Sequence, residues 1–271
     1  MKPGISSYTF PWKIGFEEKK NTRLFPDVMD LLSEANQHGI GYVQICDNLP
    51  LSFLTTDQLN LVQERASALG IRIQPGFRGL SVANVRGQLA LAARFGSPFI
   101  RMVIDDNGYH PSVEEVIVEV KKLLPDLEKA AVVLAIENHD RFPATALKHI
   151  IESTSKKFTG ICLDTANSLG AGEGVKEVVG VLGPYTVNLH IKDINIKRFS
   201  HKMGFTVSGT PAGQGQLDLR WIVDKIASQH SGCETCTLEL WADPLPSREE
   251  NIAQEREWAE QSINYLKQIL S

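Results

Sequence analysis

Residues 132–167 read VVLAIENHDRFPATALKHIIESTSKKFTGICLDTAN. Two short apolar runs rich in strand formers, VVLAIE and TGICLD, flank a stretch whose apolar residues recur at helical spacing over 145–153. Each run has the length of a buried strand and ends on an acid, Glu137 in the first and Asp164 in the second. Parallel strands joined through a helix run in the same direction, so both acids would leave the sheet at one edge.

The pattern continues in both directions. Residues 187–190 (VNLH) and 237–240 (TLEL) read as two more strands, carrying His190 and Glu239 at or near their ends. Toward the N-terminus, residues 5–10, 42–46, 71–75 and 99–104 have the same character. Helices are expected over 27–38, 55–69, 82–95, 112–130, 145–153, 174–182, 219–229 and 249–269. Gly39, Gly70 and Gly96 stop three of them, and Ser112 with Glu115 forms a capping box at the start of another. About eight strand–helix units in a chain of 271 residues fit an α/β fold, a single (β/α)₈ TIM barrel. A doubly wound open sheet is the competing architecture. No GxGxxG follows the first strand, and polar residues recur at strand ends, which favours the barrel.

No linker-like or low-complexity stretch interrupts the chain, so residues 1–271 are expected to form one domain. The net charge is −4, the pI is near 6.0, and the basic residues are scattered, which argues against a nucleic-acid partner. No apolar run has the length of a membrane span, and MKPGISSYTFPW lacks the apolar segment of a secretory leader. The four cysteines form no disulfide framework, and a cytoplasmic location is expected. Cys233 and Cys236 make one CxxC, but it leads into a strand rather than a helix and reads as structural. A homo-oligomer is compatible with the sequence and not required by it.

In a barrel, active-site groups come from the C-terminal ends of the strands. Those ends carry Asn48, Asp105, Glu137, Asp164, His190 and Glu239. Any one acid there can simply cap a loop, and His190 alone could be a core histidine. Four ligand-type residues on consecutive strands instead suggest a cage for one divalent metal ion: Glu137, Asp164, His190 and Glu239. Oxygen donors plus one imidazole suit Mn²⁺ first, with Mg²⁺, Co²⁺ or Zn²⁺ as alternatives. Such an ion stabilises the enediolate formed beside a substrate carbonyl. Glu137 and Glu239, on opposite walls, are the candidate catalytic acid–base pair.

The motifs IENHD, LDTANS, NLHIKD, GTPAGQGQLDL and LELW together resemble the sugar isomerase and epimerase superfamily with the xylose-isomerase-like barrel. Ketose 3-epimerases, hydroxypyruvate isomerase, inosose dehydratase and endonuclease IV belong to that superfamily. The resemblance covers nearly the whole chain and implies the same Glu–Asp–His–Glu metal site and acid–base pair. It also likens residues 213–218 to a glycine-containing loop ahead of the seventh helix, where the glycines serve either close ligand approach or a tight turn. Ketose 3-epimerases usually carry an arginine six residues after the metal histidine; Ile196 stands there, flanked by Lys192 and Arg198. Endonuclease IV holds a zinc cluster with several more histidines, whereas His38, His149 and His230 lie on expected helices.

The substrate-binding candidates are His139, Lys192, Arg101, Arg198 and Trp241. His139 and Lys192 stand two residues beyond Glu137 and His190, hence on the same side of a continuing strand. Arg101 would bind an anionic group or pair with Asp105. The long segment 195–209 reads as a lid. The leading expectation is an isomerase or epimerase of a small-molecule carbohydrate, a keto sugar or keto polyol. The alternatives are a lyase on the same site, decarboxylating a 3-oxo sugar acid or eliminating from a 3-keto sugar, and a sugar-binding barrel without turnover.

Overall fold

A computed structural model describes all residues except 16–22, 107, 140 and 230–231. Much of the polar, lysine-containing stretch between the first strand and the first expected helix, and His230, lie outside the described residues. The strands are β1 (Lys2–Ser6), β2 (Tyr42–Ile45), β3 (Arg72–Arg78), β4 (Phe99–Val103), β5 (Val133–Glu137), β6 (Thr159–Asp164), β7 (Thr186–Ile191), β8 (Asp193–Arg198), β9 (Phe205–Thr210) and β10 (Thr235–Leu238). All but β8 and β9 close into a parallel barrel in the order β1-β10-β7-β6-β5-β4-β3-β2. Helices follow the barrel strands and cover the outside, as a (β/α)₈ TIM barrel requires. Among the described residues, no helix is long and apolar enough to cross a membrane.

Strand alternation decides what faces the barrel axis. Leu134 and Ile136 of β5, Ile161 and Leu163 of β6, and Leu189 and Ile191 of β7 join the large apolar core between sheet and helices. Ala135 and Cys162 belong instead to a small inner cluster with Phe99, onto which Val133 and Val187 pack. With a period of two, the inward row of β5 continues from Ala135 to Glu137, and that of β6 from Cys162 to Asp164. His190 pairs across from Asp164 in the ladder. The helices cover this sheet through regular apolar stripes. In Val113–Ala130 the buried residues are Val116, Val120, Leu123 and Leu127; Ser112 caps its start with Glu115 reciprocating, and Ala131 ends it in the left-handed conformation (φ 53°).

Several elements differ in extent from expectation, β3 running on to Arg78 among them, and three differences bear on the site. The first strand stops at Ser6 because its hydroxyl accepts from the Tyr8 amide while the Thr9 hydroxyl accepts from the Ser6 amide, closing a 3₁₀ turn. The last barrel strand starts and ends two residues early, so Glu239 lies just past it, its backbone N–H donating to the Ile191 carbonyl (3.0 Å). The segment expected as a lid is an antiparallel hairpin, β8–β9, with Ile196 opposite Val207 and Arg198 opposite Phe205.

The hairpin is fastened at its base. The buried Asp193 carboxylate accepts amides from Ile194 (2.8 Å), Gly213 (2.9 Å), Gly215 (2.9 Å) and Leu217 (3.2 Å). The glycine-rich segment thus wraps an internal carboxylate. A Cβ on Gly215 would stand 2.1 Å from Asp193 Oδ1. Gly215→Ala is expected to destabilise the chain by about 1–3 kcal/mol through overpacking. Gly87→Ala, in helix Val82–Phe95 with nothing near its Cβ position, should stabilise it by about 0.5–1 kcal/mol. Denaturant midpoints of the two variants check the opposite signs.

Candidate active site

The C-terminal ends of β5, β6 and β7, with the turn after β10, bring Glu137, Asp164, His190 and Glu239 together, each at most 2% exposed. The carboxylates surround one atom. His190 Nδ1 lies 3.4 Å from Glu239 Oε1, 3.5 Å from Glu137 Oε2 and 3.9 Å from Asp164 Oδ2. Among the described residues, neither Nδ1 nor Asp164 Oδ2 has a hydrogen-bond partner, although both are buried. The other oxygen of Asp164 accepts the amides of Ala166 (2.8 Å) and Asn167 (2.9 Å). Asp164 is therefore a turn cap through one oxygen while the other faces the cluster.

Two cations sit against these acids. Arg101, 3% exposed, donates through Nε to Glu137 and through Nη1 to Asp47 (2.9 Å). Asp105 pairs with Arg141 (2.6 Å), so of the two alternatives for Arg101 the bridge to Asp105 is not the one formed. Lys192 Nζ lies 2.9 Å from Asp164 Oδ2, off hydrogen-bonding direction, 3.1 Å from Glu239 Oε2 and 3.1 Å from Asn167 Oδ1. Burial alone would raise the Glu137 carboxyl, but Arg101 and His190 outweigh it and hold the group below the usual carboxylate range. Glu239 is held well below that range: burial opposes, and His190 and Lys192 prevail. Burial would lower the His190 imidazolium, yet Glu239 and Glu137 keep it above its ordinary value.

Several partners of the cluster carried no sequence signal of their own. Asn167 donates to Glu137 Oε1 (2.9 Å), Ser6 to Glu239 Oε1 (3.1 Å), and Asn138 clamps the Asp164 backbone at both N–H (2.6 Å) and C=O (2.9 Å). Gln44 meets His190 Nε2 at 2.7 Å. Cys162 offers its sulfur in a group with Glu137 and His190 whose donor atoms all lie within 4.8 Å. Only the spacing of Asn167 within LDTAN, on a turn capped by Asp164, could have flagged it.

The substrate candidates divide. Lys192 and Arg101 enter the cluster. Half-buried His139 and Trp241, 45% exposed, stand on the rim just past β5 and β10. Arg198 does not join them: it stacks on Phe205 (4.5 Å) and bonds the Lys202 carbonyl, both within the hairpin. Ile196 is also on the hairpin and is 38% exposed. Asn48 serves the fold, taking the Ser7 hydroxyl (2.6 Å) and donating to the Ser7 and Gly15 carbonyls. A second concavity, at the strand starts, is lined by Tyr42, Arg72, Phe99, Val133 and Val187 and contains none of the clustered acids. Barrel chemistry belongs to the opposite end. Cys233 and Cys236 are free; burial pushes the Cys233 thiol up to about 12 and holds Cys236 well above the ordinary thiol value, which suits structural residues.

The donor set fits a divalent cation. Asp164, His190 and Glu239 each present one atom within 4.8 Å of the others, and Glu137 Oε2 faces the same Nδ1. A barrel with this mouth belongs to a known class: the xylose isomerase-like TIM barrel family profile matches residues 32–269, and the chain is a member of that family. The chain is 29% identical over 266 residues to 3-oxo-isoapionate decarboxylase of Pectobacterium atrosepticum, covering 98% of this chain and 95% of the relative. Its fold is similar to D-psicose 3-epimerase from Clostridium cellulolyticum, crystallised with D-tagatose (TM-score 0.75, 16% identity, 100% of both chains). It is likewise similar to a xylose isomerase-like TIM barrel protein from Mycobacterium smegmatis in complex with magnesium (TM-score 0.70, 15% identity, 97% of this chain and 96% of the other).

Lys192 competes with any cation for Asp164 and Glu239. Removing its charge in Lys192→Met is expected to tighten Mn²⁺ binding by roughly tenfold or more in calorimetric titration. Weaker binding would place the ion elsewhere.

Proposed function

We propose that this chain is a divalent-metal-dependent decarboxylase of a 3-oxo sugar acid. The observation that carries this reading is the place of Lys192, whose ammonium sits 2.9 Å from Asp164 Oδ2 and 3.1 Å from Glu239 Oε2, where it can take a substrate carboxylate beside the metal ligands; the ionised state of both glutamates agrees with it. An epimerase needs a carboxylate to pull a proton from carbon, a task suited to a base whose pKa lies near the working pH. Arg101, His190 and Lys192 hold Glu137 and Glu239 ionised below that range. Decarboxylation of a β-keto acid asks for no such base, because the bond that breaks is carbon–carbon.

A divalent ion held by Glu137, Asp164, His190 and Glu239, Mn²⁺ by preference, would supply Lewis-acid stabilisation of the enediolate charge. The chain's own groups do the rest. Lys192 binds the substrate carboxylate at the mouth, with Asn167 steering its ammonium. Arg101 keeps Glu137 in place. As the bond to the carboxyl carbon breaks, CO₂ leaves and the electron pair passes to the enediolate. A proton drawn from water then adds to the same carbon, with Glu239, ionised at rest, relaying it rather than storing it. His139 and Trp241 line the rim for the sugar hydroxyls and carbon face. The full-length likeness to 3-oxo-isoapionate decarboxylase supports the choice, as does the place of Ile196 on the hairpin, at the position where ketose 3-epimerases usually carry an arginine.

The second reading is a keto-sugar isomerase or epimerase. Glu137 and Glu239 on either side of His190 Nδ1, at 3.5 Å and 3.4 Å, favour it. Purified chain with Mn²⁺ is expected to release CO₂ from 3-oxo-isoapionate or a related 3-oxo sugar acid, leaving solvent deuterium on the carbon that lost it. Deuterium entering neutral keto sugars without CO₂ release would favour the isomerase instead. Glu239→Gln should lower turnover by about 10²–10⁴-fold with an unchanged unfolding midpoint.

A further inference from the structure

The interior of a (β/α)₈ barrel is usually filled by branched apolar side chains. Directly below His190 this barrel holds amides and hydroxyls instead: Gln44 on β2, Asn188 on β7, and Thr235 and Thr237 on β10, all buried. Their hydrogen bonds form one directed chain. Asn188 Nδ2 donates to Thr235 Oγ1 (2.8 Å) and Thr237 Oγ1 (3.2 Å). Asn188 Oδ1 then accepts from Gln44 Nε2 (3.1 Å) and from the Cys162 thiol (3.1 Å). With its nitrogen committed there, Gln44 turns its oxygen to His190 Nε2 at 2.7 Å. An amide oxygen only accepts, so the ring must carry a proton on Nε2.

The other ring nitrogen experiences the opposite pull. Three carboxylates surround Nδ1 at 3.4–3.9 Å, and Glu239 in particular would take a hydrogen bond from an Nδ1–H. A neutral imidazole has one proton to place. On Nδ1 it satisfies an acid and blocks ligation; on Nε2 it satisfies Gln44 and leaves the Nδ1 lone pair bare among the acids. We propose that Gln44 is the positioning residue of this site: its side-chain oxygen, aimed by Asn188 and the two threonines, holds His190 in the Nε2–H tautomer and so makes Nδ1 a metal ligand. The inference rests on the metal site of the reading above, and names a residue outside it on which cation affinity depends. Partners of this kind on a ligating histidine are worth 10–100-fold in metal affinity.

Titration of the full chain with MnCl₂, at one pH, tests it. Gln44→Leu removes the acceptor and is expected to raise the Mn²⁺ Kd about 10–100-fold. Gln44→Glu keeps an oxygen at the same reach, with the Asn188 amide free to turn its nitrogen toward the new carboxylate; its Kd should stay within about threefold of the unaltered chain or fall below it. A leucine variant that binds as tightly as the parent, or a glutamate variant as weakened as the leucine one, overturns the role of Gln44. Long-range ¹H–¹⁵N spectra of the unaltered, metal-free chain, at a pH that leaves the imidazole neutral, give a reading that needs no variant. An Nε2–H signature for His190 is expected, and an Nδ1–H signature overturns the proposal even if the leucine variant fails to fold. An unaltered chain that binds no Mn²⁺ would sink the metal site itself, a failure distinct from loss of the Gln44 effect.

Discussion

Everything at the mouth of this barrel depends on one charge balance: three buried carboxylates around His190 Nδ1, offset by Arg101 and Lys192. Isolated buried carboxylates would take up protons rather than pay the desolvation cost. Here each has a cation or a fixed donor. Arg101 bridges Glu137 to Asp47, Lys192 spans Asp164 and Glu239, and Asn167 and Ser6 occupy remaining oxygens. Breaking a buried pair by deleting one partner typically costs about 3–5 kcal/mol. The cluster is thus as much a constraint on the fold as a device for chemistry. Among the described residues, two buried atoms that a cation would bind, Asp164 Oδ2 and His190 Nδ1, lack hydrogen-bond partners, and Asp164 Oδ2 is met instead by the Lys192 ammonium at 2.9 Å.

The barrel supplies the geometry cheaply. Strand alternation sends one row outward into the apolar layer and the other inward, so a single two-residue period sets both the core and the site. The four clustered residues follow from it. Glu137, Asp164 and His190 are the last or next-to-last inward positions of their strands, and Glu239 follows β10 by one residue. The remaining precision comes from polar contacts between elements far apart in sequence. Asn138 fastens the Asp164 backbone, Gln44 meets His190, and Asp193 gathers the glycine-rich segment beneath the hairpin.

This division explains how far the sequence could be read. The eight barrel strands and the four clustered residues were legible because each rests on a local rule: apolar runs of strand length, and polar groups at their C-terminal ends. The first strand is shorter than its sequence suggests, since ISSYTF looks extended until the Ser6 and Thr9 side chains close a turn. Residues 195–209 exceed a usual connecting loop, and INIK and TVSG alternate with a period of two, the pattern of the hairpin they form. A two-stranded ribbon is marginal alone, and its anchor is Asp193 with glycines some twenty residues on. The glycines themselves left two readings open, and only the contact with Asp193 decides between them. Arg101 is a candidate on sequence, yet its partners are Glu137 on the adjacent β5 and Asp47 just past β2, two strands away in the barrel, and no spacing rule links either to it.

The most direct measurement is anomalous diffraction from crystals of the chain grown with Mn²⁺, recorded at the manganese edge. One peak is expected, within bonding distance of Glu137, Asp164, His190 Nδ1 and Glu239, with Lys192 turned away from Asp164. A peak elsewhere, or Lys192 still bridging Asp164 and Glu239 with no ion between them at saturating Mn²⁺, would contradict it.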